Sequence, residues 1–165
     1  NLLEFWIQEA CGKRIFCTEC KYLSKASVAV SRSEYDRREI EPFRSFMGEI
    51  LPIGSVAYKL ALVASGDYDI NFSVQPKNEW DVCAGDLLIR EAGGCMLNLN
   101  GNVRSYNQKN TLIENGLVAG NSKLVSETLL MLKANNYSLQ NGDSKLWKLH
   151  GRSPYFSNHT VRFLN

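Results

Sequence analysis

An acidic residue near the start of a predicted helix is the first candidate for chemistry in this sequence. Residues 79–94 read Glu-Trp-Asp-Val-Cys-Ala-Gly-Asp-Leu-Leu-Ile-Arg-Glu-Ala-Gly-Gly. This pattern predicts an amphipathic helix that starts at Asp81 and ends at Gly93 and Gly94, which can adopt the left-handed conformation of a helix end. Free N–H groups at a helix start favour a carboxylate, which can bind a hard divalent cation. Asp81 is therefore a candidate metal ligand, with a simple helix cap as the alternative.

The remaining residues of this predicted helix divide between two faces. Leu87, Leu88 and Ala92 are expected to form its apolar face. Asp86 and Arg90 are spaced as an i,i+4 ion pair, which we expect to be exposed.

A glycine and a serine precede a second predicted helix, which runs from about Val56 to Ser65. Gly54 would let a phosphate approach the backbone, and the N–H groups at the helix start could donate to it. The alternative is that Ser55 is an ordinary cap of a helix that stops at Gly66. The first interpretation makes Gly54 and Ser55 candidate substrate-binding residues.

A third polar segment follows a short β-branched strand at residues 28–31. Arg32 carries a planar fork of donors that suits a phosphate, and Ser33 lies beside it. The alternative is that Ser33 caps a polar, solvated helix that begins at Glu34 and is kinked or ended by Pro42.

These segments resemble signatures of the inositol monophosphatase family of Mg²⁺-dependent sugar and nucleotide phosphatases. Residues 80–94 resemble its W-D-x-A-A-G-x-x-L-x-x-E-A-G-G signature, with Cys83 where the family usually has a small residue. Residues 54–66 resemble its substrate loop, G-[ST]-x-A-x-x-x-x-x-V-A-x-G. Residues 31–34 resemble the S-R-S-[HE] segment of the nucleotidase and bisphosphatase branch. Lys59 is also similar to that branch.

The resemblance implies a fold, a reaction and a role for each candidate residue. The fold would be the carboxyl-terminal part of a layered α-β-α-β-α sandwich. The reaction would be hydrolysis of a phosphomonoester, in which Mg²⁺ activates a water for in-line displacement. Asp81 would bind Mg²⁺, and Gly54 and Ser55 would donate to the substrate from their backbone. The substrate would be a 3′(2′),5′-bisphosphate nucleotide or an inositol phosphate, selected by Arg32, Ser33 and Lys59.

Two further motifs of the family, G-D-x-x-x-E and D-P-[IL]-D-G-[ST], do not occur in this sequence. The resemblance implies that they supply the other metal ligands, which leaves Asp81 as the one main carboxylate. A single carboxylate with waters should bind Mg²⁺ weakly, because this ion dehydrates reluctantly. We therefore expect a truncated chain that is inactive alone. The alternative is a non-catalytic binding or regulatory module that retains half of the fold.

Composition limits the other possibilities. The net charge of +2 is too small to indicate a nucleic-acid partner, and no apolar stretch has the length of a membrane span. Five cysteines, an odd number, favour reduced thiols and a cytoplasmic protein. The expected partner is a small phosphorylated substrate, and a homo-oligomer with a second copy of the chain is a further option.

Alternating strand and helix patterns predict an α/β layered domain. Residues 1–24 would end the amino-terminal half as a strand pair, Phe5–Ile7 and Arg14–Phe16. Residues 25–134 would form the carboxyl-terminal half-domain, which includes a strand at residues 68–74. Residues 135–165 lose this periodicity and are expected to form an atypical tail.

Overall fold

A computed structural model of the chain describes residues 9–10 and 13–135. Within these residues, the strands are β1 (Glu9–Ala10), β2 (Lys13–Arg14), β3 (Ser27–Ser31), β4 (Glu49–Ile53), β5 (Ile70–Ser73), β6 (Lys77–Asn78), β7 (Cys95–Leu97), β8 (Leu112–Ile113) and β9 (Leu117–Gly120). The helices are α1 (Arg32–Asp36), α2 (Val56–Ala64), α3 (Glu79–Glu91) and α4 (Ser122–Ala134), with 3-10 helices at Leu23–Lys25 and Glu41–Phe46. Among them, no helix combines the length and the apolar character needed to cross a membrane.

The central element is a five-stranded mixed sheet in the order β4-β3-β5-β9-β7. Strand β3 lies between β4 and β5 and is parallel to both, whereas β9 is antiparallel to β5 and β7. The carboxyl ends of β3, β4 and β5 therefore meet at one edge of the sheet, which we call the carboxyl edge. The segments after Ser31, Ile53 and Ser73 all start from this edge.

Two hydrophobic clusters cover opposite faces of the sheet, because neighbouring residues of one strand point to opposite sides. Val118 of β9 belongs to the cluster under α4, and Ala119 belongs to the cluster under α2 and α3. All four residues of β5 are buried, as expected for a strand covered on both faces. This confirms the α/β fold class.

Helices α2 and α3 pack against each other in a parallel orientation. A Cβ added at Gly85 would lie 2.5 Å from Leu60 Cδ1, so the glycine allows the helices to approach closely. At the other end, the Cys17 N–H donates to the carbonyl of Ala92, and a Cβ at Gly66 would lie 2.8 Å from the Phe16 carbonyl oxygen. Both helices thus end beside residues 16–17 and both start at the carboxyl edge.

Several local predictions about helix α3 are wrong. The helix begins at Glu79 rather than Asp81, with Asn78 as its N-cap, because Lys77–Asn78 pair with β8 and fix the preceding backbone. Asp86 is 1% exposed instead of lying on an open surface. Leu87 is 43% exposed instead of belonging to the apolar face. Val82 and Ile89 occupy that face.

Other boundaries also differ from the predictions. Helix α1 begins at Arg32 with Ser31 in the N-cap position, so Ser33 does not cap it, and α1 ends before Pro42. The strand predicted at residues 68–74 is limited to Ile70–Ser73. The cap predicted at Ser55 is confirmed, since its Oγ accepts from the Tyr58 N–H.

Two predicted regions lie wholly or largely outside the described residues. These are Phe5–Ile7 and the predicted tail at residues 135–165, of which the structure describes only residue 135. In the predicted Arg14–Phe16 strand, only Arg14 belongs to a strand, as part of β2. The division at residues 24 and 134 stays a prediction.

Candidate functional site

The carboxyl edge brings together the three segments that carry the predicted site residues. Arg32 and Ser33 follow β3, and Gly54 and Ser55 follow β4. Asp81 lies in the first turn of α3, which starts at the same edge because α3 is parallel to α2. The sheet topology therefore places the starts of α1, α2 and α3 and the exposed Arg32 at a common edge.

Arg32 packs directly against Gly54. A Cβ added at Gly54 would lie 2.6 Å from Nη2 of Arg32 and 3.2 Å from its Cζ. Any larger side chain at this position would displace the guanidinium. The absence of a Cβ thus lets the donor fork of Arg32 lie beside the turn that leads into α2.

Ser55 has an unusual backbone conformation, with φ of 58° and ψ of 120°. A positive φ is uncommon for a residue with a side chain and costs on the order of 1–3 kcal/mol. The hydroxyl accepts from the Tyr58 N–H at 3.3 Å, which satisfies one donor of the helix start. Sequence patterns predicted the cap but contained no signal for the strained backbone.

Lys59 is buried behind this turn and is only 2% exposed. Its Nζ donates to the carbonyl oxygen of Ile53 at 3.2 Å and to that of Ser55 at 3.0 Å. Burial lowers the pKa of Lys59 to about 8, and the nearby positive charge of Lys77 acts in the same direction. The ammonium group therefore bonds the protein's own backbone instead of facing the surface.

Glu34 is a second buried charge at the carboxyl edge, and the solvated position expected for it is wrong. Its carboxylate accepts from the Ser73 hydroxyl at 2.6 Å, the Val74 N–H at 2.9 Å and the Lys77 ammonium at 3.4 Å. These bonds attach α1 to the end of β5 and orient the helix that carries Arg32. The sequence analysis identified Glu34 as the last residue of S-R-S-[HE] and as the start of a polar helix, and neither pattern contained a signal for its burial.

Asp81 is half-buried in the first turn of α3. It forms a capping box with Asn78, in which the Asn78 N–H donates to Oδ2 of Asp81 at 3.2 Å. No described lysine or arginine forms an ion pair with Asp81. Asp81 thus caps the helix from inside its first turn, and its role as a metal ligand stays a prediction.

The neighbouring carboxylates of Glu79 and Asp86 on α3 already accept hydrogen bonds from other side chains of the protein. Glu79 accepts from Arg104 at 2.7 Å and from the Asn107 N–H at 2.8 Å. Desolvation would raise the pKa of Glu79, but these hydrogen bonds lower it overall. Asp86 forms an ion pair with Arg90 and accepts from the Tyr106 hydroxyl at 2.7 Å, and burial together with this bond raises the pKa of Tyr106.

Within the part of the chain that the structure describes, no three histidine, cysteine or acidic side chains form a group that could hold a metal. The described cysteines, Cys17, Cys20, Cys83 and Cys95, are free thiols. A cavity of about 330 Å³ lies elsewhere, between residues 96–98 and 103–117. None of the predicted site residues lines this cavity.

Comparison with known proteins gives a consistent family. A model of the inositol monophosphatase family matches residues 8–136. A Nus factor SuhB from Pasteurella multocida is 43% identical over 77 residues, which cover 47% of this chain and 26% of that protein. A fructose-1,6-bisphosphatase/inositol-1-monophosphatase from Thermotoga maritima is 30% identical over 108 residues, which cover 65% of this chain and 42% of that protein.

A solved structure of an IMPase from Thermotoga maritima shares the fold, with a TM-score of 0.62 at 22% identity. That match covers 75% of this chain and 46% of the other. The matched part is thus less than half the length of each of the three proteins. Because the family match extends over most of the sequence, the chain belongs to the inositol monophosphatase family, whose members are phosphatases that use metal cofactors.

Proposed function

We propose that this chain forms the substrate-binding part of a Mg²⁺-dependent phosphomonoesterase and supplies the carboxyl-terminal half of its layered fold. The main support is the contact between Arg32 and Gly54 at the start of α2. A helix start offers backbone N–H donors and a positive dipole end, and an exposed guanidinium adds a charged donor fork. Together these groups suit a phosphate.

The proposed substrate is a nucleotide with phosphates at the 3′(2′) and 5′ positions, with an inositol phosphate as the alternative. One phosphate would bind at the Gly54–Ser55 turn, and the second would bind Arg32 and Ser33, which are both exposed. Lys59 is 2% exposed, so we do not assign it a direct contact with either phosphate. The relatives named above are not called nucleotidases, and this choice of substrate depends on Arg32 and Ser33.

Asp81 would contribute one carboxylate ligand to the metal. It suits this role because no described lysine or arginine forms an ion pair with it, and because it lies at the same edge as the proposed phosphate site. A single carboxylate does not make a Mg²⁺ site, since the ion needs several well-placed oxygens. When bound by a complete ligand set, Mg²⁺ would polarise the phosphate and activate a water. The described residues do not provide that set.

The second candidate function is phosphate-ligand binding without catalysis. It is favoured by the shortage of metal ligands, since the neighbouring Glu79 and Asp86 are already paired with Arg104 and Arg90. In this case the Arg32 guanidinium and the turn at Gly54 would still bind an anion, but no hydrolysis would follow.

An NMR titration of the isotope-labelled chain with adenosine 3′,5′-bisphosphate tests the proposed binding site. We expect saturable shifts at Gly54, Ser55 and Arg32, and a smaller affinity for adenosine 5′-monophosphate. Shifts confined to the cavity at residues 96–117, or no saturable shift, would contradict the site.

A further inference from the structure

The position of the Lys59 ammonium relative to the turn is unusual. Its two acceptors, the carbonyl oxygens of Ile53 and Ser55, lie on either side of Gly54. The Ser55 carbonyl also accepts from the Lys59 backbone N–H at 3.2 Å. One residue of α2 therefore holds the turn at two points.

The turn needs such a restraint because its backbone is strained at Ser55, where φ is 58°. Strained conformations persist when surrounding contacts fix them. The Ser55 hydroxyl contributes one contact, to the Tyr58 N–H, but it holds only the side of the turn that faces the helix. Lys59 bonds the carbonyl groups before and after Gly54, and a bond from a charged donor is roughly twice as strong as a neutral one.

We propose that Lys59 is a positioning residue, whose buried ammonium holds the Gly54–Ser55 turn in the conformation that binds a phosphate while Arg32 contacts the anion. The claim that the turn binds phosphate rests on the proposed function. The claim that Lys59 orders the turn does not, because it concerns contacts made by the chain without a ligand.

Charges from two other segments act on Lys59. Lys77 follows β5, and Arg32 and Glu34 belong to α1. Lys77 and Arg32 disfavour the charged form of Lys59, whereas Glu34 favours it, and burial is the largest contribution. As the pH rises through about 8, Lys59 loses its proton and the two bonds to the turn weaken.

Carbonyl carbon NMR on the full chain, without ligand, tests this role directly. We expect the carbonyl signals of Ile53 and Ser55 to titrate together with a midpoint near pH 8. Lys59→Met keeps the apolar stem but removes the donor, so both signals should move at low pH and the titration should disappear. Lys77→Met is the matched control, since it removes one nearby charge without removing either bond. In that variant the titration should persist with a higher midpoint.

A second measurement uses inorganic phosphate as the probe at pH 7. Loss of the ordered turn should weaken phosphate binding by about tenfold in Lys59→Met. If the carbonyl signals of Ile53 and Ser55 in the unmodified chain do not change when Lys59 loses its proton, at whatever pH this occurs, the positioning role is wrong, and this result requires no variant. If Lys59→Met loses phosphate affinity while both signals stay unchanged, Lys59 is a direct ligand and the role is also wrong. If phosphate does not bind the unmodified chain, the proposed phosphate site fails, and the carbonyl titration still decides the role of Lys59.

Discussion

Helices α2 and α3 start at the same edge of the sheet but differ in how the free N–H groups of their first turns are hydrogen-bonded. At the start of α3, Asn78 and Asp81 satisfy these donors reciprocally within the chain. At the start of α2, one hydroxyl caps one N–H, Arg32 packs against Gly54, and Lys59 donates to two carbonyl groups of the turn. We therefore expect the α2 start, where the chain supplies few acceptors of its own, to suit an anionic ligand better than the α3 start.

The largest expected effect concerns catalysis at the α3 start. With Mg²⁺, the chain alone should hydrolyse adenosine 3′,5′-bisphosphate or inositol phosphate far below about 1 per second, because Asp81 is the one proposed metal ligand. The measurement is phosphate release by the purified chain. Turnover at that rate would contradict this expectation, provided that Asp81→Asn abolishes it and the exposed control Asp36→Asn does not.

The next effect concerns substrate choice at the α2 start. Arg32→Ala should weaken binding of a nucleotide bisphosphate by roughly ten- to a hundredfold, because a hydrogen bond from a charged group contributes about 1.5–3 kcal/mol. Binding of the matching monophosphate should change much less. Calorimetric titration measures both, with Arg37→Ala as the control because its ion pair with Glu39 lies on the surface. Equal losses for the two ligands would assign Arg32 a structural role.

Two glycine substitutions separate the binding turn from helix packing. Gly54→Ala would push the Arg32 guanidinium away and should reduce phosphate affinity by about tenfold, with a small change in stability. Gly85→Ala would collide with Leu60 and should lower the free energy of unfolding by about 1–3 kcal/mol. Denaturant unfolding and phosphate titration of both variants check this contrast. If both variants lost the same phosphate affinity and the same unfolding free energy, the binding turn would not be distinct from the helix packing.

The buried charge near α2 should appear in the pH dependence of stability. The folded pKa of Lys59 is about 8, below the ordinary lysine value of 10.5, so the unfolded chain binds more protons between these values. Stability from this group should therefore rise with pH over that interval. Lys59→Met should lack this rise relative to the unmodified chain in unfolding experiments at several pH values. Parallel curves for the two chains would show that Lys59 is not perturbed by burial.

The smallest expected effect is the loss of the α3 cap. Asn78→Ala should lower the free energy of unfolding by about 1 kcal/mol, as is typical of an N-cap. It should leave phosphate affinity unchanged, because the α2 start is the proposed anion site. Chemical denaturation with a parallel phosphate titration measures both. A loss of phosphate affinity without a loss of stability would reverse the roles of the two helix starts.

Local signals predicted much of this arrangement. The Ser55 cap, the α2 helix and the alternation of strands and helices follow from short-range patterns, and the structure confirms them. The wrong predictions depend on partners distant in sequence. Asp86 is buried because Tyr106 bonds it, and α3 starts early because β6 pairs with β8.

The charged residues behind the site show the same limitation. Lys59 was predicted to select the substrate because it resembles the nucleotidase branch, and Glu34 was expected to belong to a solvated helix, but both side chains are buried. Glu34 is bonded by Ser73, Val74 and Lys77, and Lys59 bonds two backbone carbonyl groups. These groups become neighbours only once the strands are assembled. Periodicity within one segment contains no information about such contacts.

The close contact at Gly85 also sets the rotational phase of α3. Leu60 faces a position that has no side chain, four residues after Asp81, so sliding the helix by one residue would bring a bulkier group against Leu60. Such a slip would translate Asp81 by about 1.5 Å and rotate it by about 100° about the helix axis. The direction in which the Asp81 carboxylate points is thus fixed by a contact one turn further along the helix. Efforts to redesign the ligand preference of this edge should therefore keep positions 60 and 85 fixed.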